Sequence, residues 1–209
     1  MRVMISITIV SVAAWCAGCG SVGQQGPVLL DQANSWTAVS GTSCTNADHF
    51  IGETSYYRAF KLADHGVHGA FQVTGVTFSV SEREIGAGFT KFPIELGLYD
   101  YTGDISDTLD TGKMTLKKSS TVDIVATTPT IMVVKYDQPM LADITTPALV
   151  FKIHVLNYQP QMHKFYLAIS RDGESHPGYV ACGANPPKTP GGLGFPTDVL
   201  LMSVTGEAK

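Results

Sequence analysis

The chain is poor in charge, in tryptophan and in helical periodicity. Only 15% of its 209 residues are Asp, Glu, Lys or Arg, and the net charge is −4. So mildly acidic a balance leaves no basic footprint and excludes nucleic acid as a partner. Beyond the N-terminal segment no stretch of about a dozen residues sustains a 3.6-residue apolar period, which excludes a helical bundle. No apolar run is long enough to cross a membrane comfortably, a task that takes about 20 residues. G-x-S-x-G, H-E-x-x-H and a compact Cys/His pairing are all missing, so no catalytic motif is legible. What is present is a 44% hydrophobic content, which excludes a disordered chain. The length suits one domain with a short appendage.

The N-terminus reads as an address. Arg2 supplies a positive charge, Val3 to Trp15 form an apolar run, and the small residues Ala17 and Gly18 lead into Cys19. That is the order of a secretory signal. Ala-Gly-Cys after such a run resembles the lipobox of bacterial lipoproteins, with Cys16 standing where a Leu is usual. The resemblance implies cleavage before Cys19, leaving residues 1–18 as the signal peptide. It also implies acylation, with chains such as palmitate, of the Cys19 thiol and of the new amine. Two acyl chains make a stable membrane anchor. Gly20 is not the Asp that resembles an inner-membrane retention signal, so the expectation is the outer membrane. The plainer alternative is an ordinary signal peptide cut near Gly18. Of the 4 cysteines, Cys16 leaves with the signal and Cys19 takes lipid, so Cys44 and Cys182 remain as an even pair. Without lipidation an odd number would face an oxidising compartment.

Residues 19–34 are rich in Gly and Gln and read as a flexible tether. From residue 35 to 209 short alternating runs dominate. In GAFQVTGVTFSVS the residues Phe71 and Val73, then Val76, Phe78 and Val80, share one side, with Gly75 marking a bulge or bend. PIELGLYDY presents Ile94, Leu96 and Leu98; LVFKIHVL presents Leu149, Phe151, Ile153 and Val155; KFYLAIS presents Phe165, Leu167 and Ile169. Turn residues bound each run. The pattern predicts an all-β, antiparallel sandwich of about 8–10 strands.

Two segments carry a second resemblance. SYYRAFKL, Ser55 to Leu62, is followed by a turn and the long alternating strand, and the chain closes with PGYVACGANPP and GFPTDVLLMSVTG. This order resembles a β-sandwich module of secreted bacterial proteins, often found beside adhesive or sugar-binding domains. The resemblance implies a jelly-roll, galactose-binding-like topology and carries no activity with it. Its early and late cysteines correspond to Cys44 and Cys182. First and last strands of a jelly roll commonly lie close together, so a Cys44–Cys182 bridge fits an exported domain. Closing so long a loop is worth roughly 5 kcal/mol on the chain-entropy estimate. Two separate buried thiols are the alternative.

Candidate chemistry is sparse. Asp100, Asp104, Asp107 and Asp110 cluster in one loop and are candidates for Ca2+, which takes about six to eight oxygens; a solvated hairpin loop is the plainer reading. His65 and His68 form a His-x-x-His pair that needs a third ligand to hold zinc. Arg58 shares a strand face with Tyr56 and Phe60. It is either a ligand-facing guanidinium or a pin holding the strand through a buried partner. Trp36 is the one tryptophan left after signal removal, which argues against a multi-Trp sugar platform. Tyr99, Tyr101, Tyr158 and Tyr179 are the aromatic alternatives. His154 and the glutamates Glu53 and Glu95 show no diagnostic spacing. The expected function is non-catalytic: an envelope-anchored binding, structural or adhesive lipoprotein. Its partners would be the membrane, through lipid, and a glycan or other envelope component. A carbohydrate-binding module and an envelope hydrolase or lyase with a spatially assembled carboxylate site are the alternatives.

Overall fold

The computed structural model describes residues 26–47, 49–128, 130–136 and 142–209. Cys19 and the signal segment lie outside them. Among the described residues there are thirteen strands and a few short 3-10 turns. In chain order the strands are β1 (Val28–Leu30), β2 (Ser40–Thr42), β3 (Thr54–Lys61), β4 (Phe71–Glu84), β5 (Lys91–Tyr101), β6 (Met114–Val125), β7 (Ile131–Lys135), β8 (Ala142–Ile144), β9 (Ala148–Val155), β10 (Lys164–Ser170), β11 (Gly178–Cys182), β12 (Val199–Leu200) and β13 (Met202–Ala208). The surplus over the expected count comes from β1, β2, β8 and β12, each of three residues or fewer.

The strands form the expected antiparallel sandwich. One sheet runs β1-β13-β4-β10-β12, with β2 on β10 and with β7 and β8 on β4. The other runs β11-β3-β9-β5-β6. The alternating runs decide which side of each strand is buried. Phe71, Val73, Val76, Phe78 and Val80 of β4 meet Leu149, Phe151, Ile153 and Val155 of β9 in one continuous core, joined by Leu96 and Leu98 of β5 and Phe165 and Leu167 of β10. Because side chains alternate along a strand, the residues between these face outward.

Gly75 does mark an irregularity. It pairs with Thr205, and the β4–β13 register slips between Thr205 and Gly206. A Cβ at Gly75 would stand 3.0 Å from the Val134 carbonyl oxygen, so close backbone approach also favours glycine there.

The domain begins earlier than the sequence pattern suggested. Val28–Leu30, placed in the tether by composition, pairs with β13, and Leu30 is fully buried in the core. A three-residue apolar run is too short to register as a strand in a Gly- and Gln-rich context, yet one buried Leu next to the last strand is enough to dock it. The folded domain therefore includes β1.

Cys44 and Cys182 form the disulfide, with Cα atoms 5.6 Å apart and 138 residues of separation. It joins the segment before β3 to the end of β11, the edge strand that pairs with β3.

Candidate functional site

Most of the sequence-nominated residues turn out to be structural. Arg58 is fully buried on the core side of β3. Its Nη1 donates to Glu174 Oε2 at 2.8 Å, to the His176 carbonyl at 3.1 Å and to Gln32 Oε1 at 3.3 Å, and its Nη2 donates to the Leu200 carbonyl. A fork so fully engaged does not face a ligand. It pins four chain segments together, as a buried guanidinium must if its charge is to be compensated. Tyr101 is buried, and its hydroxyl donates to the Asp104 carbonyl at 3.0 Å.

The four acids do not form a cation cage. Asp100 is buried and accepts from the Thr145 N–H at 3.0 Å, from both Thr145 and Thr146 hydroxyls at 3.2 Å, and pairs with Lys117 at 3.3 Å. Burial pushes its carboxyl up, but those hydrogen bonds and Lys117 outweigh burial and hold it below the usual carboxylate range. Asp110 caps a short turn by accepting from the Gly112 N–H at 2.9 Å. Asp104 and Asp107 contribute carbonyls, to Tyr101 and to the Thr189 N–H, rather than a shared ligand set. Among the described residues no three His, Cys, Asp or Glu side chains gather where a metal could be held. Sequence density of Asp was misleading because turn chemistry selects the same residue. His65 packs edge-on against Phe60 at 6.0 Å while His68 is exposed, so the histidine pair is divided.

The outer face of the five-stranded sheet is different. Register places Ala181, Ser55, His154, Glu95 and Thr121 in one row across β11, β3, β9, β5 and β6. Tyr179, Tyr57, Lys152, Gly97 and Ser119 form the next row, and Ala59, Val150, Tyr99 and Leu116 the one after. At one end the loop after β5 covers the face. There Leu109, Tyr101, Tyr179, Val150 and Ala148 make a second, smaller core. The Tyr179 hydroxyl reaches the Ser106 carbonyl at 2.7 Å.

The other end stays open as a depression of about 350 Å³. Glu95, Tyr99, Ser119, Thr121, Lys152 and His154 line it. Gly97 shapes its floor. A Cβ there would lie 2.6 Å from Tyr99 Cε2 and 2.9 Å from the Tyr99 hydroxyl. The Tyr99 ring is thus folded back along its own strand over the glycine, in the space any larger residue would fill.

Electrostatics at this end follow from partial burial. His154 Nδ1 is 2.9 Å from the Ser55 hydroxyl, and its Nε2 is 3.9 Å from Glu53. Burial, with the neighbouring Lys152 charge, holds the imidazole below its ordinary value and leaves it neutral at pH 7. Lys152 lies 5.5 Å from the Tyr57 ring centroid, within cation–π range. Burial lowers its ammonium, and Glu95 and Glu53 partly oppose that shift. Burial also raises the Tyr99 and Tyr57 phenols.

Of the nominated ligand residues, Tyr99 alone reaches this depression. Tyr158 sends its hydroxyl to the Pro93 carbonyl at 2.6 Å, and Trp36 donates its indole N–H to Asp31. The sequence did hold a signal for the rest. Alternation in LVFKIHVL sets Lys152 and His154 on the face opposite the core residues, and IELGLYDY does the same for Glu95, Gly97 and Tyr99. Missing was the knowledge that β9 and β5 are neighbours.

No protein-family model and no curated protein matches this chain. Two solved structures are similar to it, the first of them in fold. One is a variant of the clostridial cysteine protease Cwp84 after propeptide cleavage, with a TM-score of 0.58 and 8% identity over 88% of this chain and 40% of that one. The other contains the cysteine protease and lectin-like domains of Cwp84, a surface layer associated protein of Clostridium difficile. Its TM-score is 0.48 and its identity 12%, over 77% of this chain and 33% of that one. This chain therefore spans well under half of either protein, and at such identity the likeness is one of fold alone.

Proposed function

We propose that this protein is an envelope-anchored lipoprotein that binds glycan, without catalysis, on the open end of the β11-β3-β9-β5-β6 sheet. The observation that carries this reading is Tyr99 laid over Gly97 in a depression lined by Leu96, Leu116 and otherwise polar side chains. A pyranose has an apolar C–H face and a rim of hydroxyls. A ring lying along the sheet offers a platform for the first, and Glu95, Ser119, Thr121 and His154 offer partners for the second. The depression sits on three paired strands rather than on loops, so its geometry is fixed before binding.

Binding is favoured over acyl transfer by the sheet itself. β3, β9 and β5 are interior strands paired on both sides. Their backbone N–H groups are spent in the ladder and none is left to stabilise an oxyanion beside the Ser55–His154 pair. The anchor is Cys19, and the short stretch from Cys19 to β1 would span roughly 30 Å when extended. That is enough to hold the domain just clear of an outer membrane.

The test is a glycan-binding screen of the wild-type chain and Tyr99→Ala. Binding that Tyr99→Ala weakens by about tenfold, with unchanged thermal unfolding, supports the reading. Glycan binding untouched by this substitution places the site elsewhere, and no binding to any glycan rejects it. For the anchor, Cys19→Ser is expected to move the protein from the membrane to the soluble fraction; continued membrane fractionation without a mobility change contradicts lipidation.

A further inference from the structure

We infer that the depression selects acidic glycans, with the anionic group of one sugar seated on Lys152 and vicinal hydroxyls of the same or the next sugar accepted by Glu95. The inference rests on the glycan-binding reading above and names the ligand class.

Lys152, like Lys61, Lys113 and Lys135, joins no ion pair among the described residues, but unlike those three it is half-buried. Among the described residues, Arg58, Lys91, Lys117, Lys164 and Arg171 each contact a carboxylate. Lys152 is half-buried in the middle of the sheet, and none of those ion pairs includes it. Its backbone stands between Tyr57 and Gly97 in register, it lines the depression, and its ammonium lies 5.5 Å from the Tyr57 ring centroid. Partial burial of a cation without a contacting anion is costly. An anionic ligand group at this point would supply the missing partner as a charge-assisted hydrogen bond.

The nearby carboxylates set the orientation. Glu95 faces His154 and Thr121 across the strands, one row away from Lys152. Glu53 lies on the far side of His154, at 3.9 Å from its Nε2. Both help keep the ammonium charged without touching it. An anion placed against Glu95 would be repelled, whereas sugar hydroxyls there would donate to it. The charged groups facing the ligand are thus a cation on β9 and an acceptor on β5, with the Tyr99 ring over Gly97, which is the register partner of Lys152 and two residues from Glu95. A neutral sugar satisfies the acceptor and leaves Lys152 as it is.

The experiment uses the full chain, wild type, Lys152→Met and Lys152→Arg, on an array carrying uronate-, sialate- and sulfate-bearing glycans beside neutral ones. The expected result is preferential binding to acidic members, about tenfold or more over their neutral counterparts, the scale of one hydrogen bond to a charged group. Lys152→Met is expected to bring binding of the acidic members down to the level of their neutral counterparts. Lys152→Arg is expected to retain it, and raised salt to weaken it. The three acidic classes report whether the anion is a carboxylate or a sulfate. Equal binding of acidic and neutral members by the wild type overturns this inference and leaves the glycan-binding reading standing. An acidic preference that survives in Lys152→Met also overturns it. Binding to no member overturns both.

Discussion

Strands β3, β5 and β9 carry two different surfaces on the same side of one sheet. Toward the loop after β5, the outward residues Ala59, Val150 and Tyr101 are apolar, and Leu109 and Tyr179 close over them as a second core. Toward the opposite end the outward residues Lys152, His154 and Glu95 line the open depression. Backbone geometry is shared, so the difference comes from side chains alone. Apolar outward residues recruit a loop, because burying them is favourable by about 25 cal/mol per Å². Polar ones keep water, and with it access. The two cations on neighbouring strands make the same point: Arg58 is sealed in with every nitrogen of its fork but Nε engaged, while Lys152 is half-buried at the open depression and joins no ion pair among the described residues.

The largest break in this contrast is expected at the closed end. Tyr179→Ala removes a fully buried ring and its hydrogen bond, and should cost about 3–5 kcal/mol in urea denaturation. Glycan binding by the fraction that remains folded should be unaltered. Next comes the brace at the edge of the sheet. Replacing Cys44 and Cys182 together by Ala should lower stability by about 2–5 kcal/mol, again with binding retained below the denaturation transition. Gly97→Ala inverts the pattern. Its new methyl displaces the Tyr99 ring rather than backbone, so stability should change by only about 1 kcal/mol, while glycan affinity falls by about tenfold in titration calorimetry. Unchanged affinity in Gly97→Ala would show that the ring position does not matter.

The smallest effect is a pH dependence shared by the open end and the main core. Burial holds His154, His163 and His65 below the ordinary imidazole value. The unfolded chain therefore takes up their protons at higher pH than the folded one, near 6.5. Their contribution to stability is complete above that pH and is lost as pH falls toward the lowered folded values. Urea midpoints should thus drop between about pH 7.5 and pH 5, and His154→Gln should remove part of that drop.

How far the sequence reached follows the same division between local and non-local information. Alternation along β4, β5, β9 and β10 is local, and it correctly named the core residues from Phe71 to Ile169. The even cysteine pair was legible from counting thiols along a chain whose N-terminus reads as an export signal. The docking of Val28–Leu30 was not, since three residues carry no period. The Asp loop looked like a site because capping and cation binding use the same side chain, and only the separate hydrogen-bond partners of Asp100 and Asp110 distinguish them. Lys152, His154 and Glu95 were individually visible on outward positions, but their union depends on β9 pairing with β5 in one register. Pairing between strands about fifty residues apart is a property of the whole fold.

The most direct test of the account maps where ligand sits. Hydrogen–deuterium exchange of the full chain, with and without the strongest binder from the glycan array, is predicted to show added protection along β9, β5 and the facing part of β6, around Lys152, Gly97 and Ser119. Protection confined to the loop over residues 101–110, to the other sheet, or absent despite saturating ligand would contradict it.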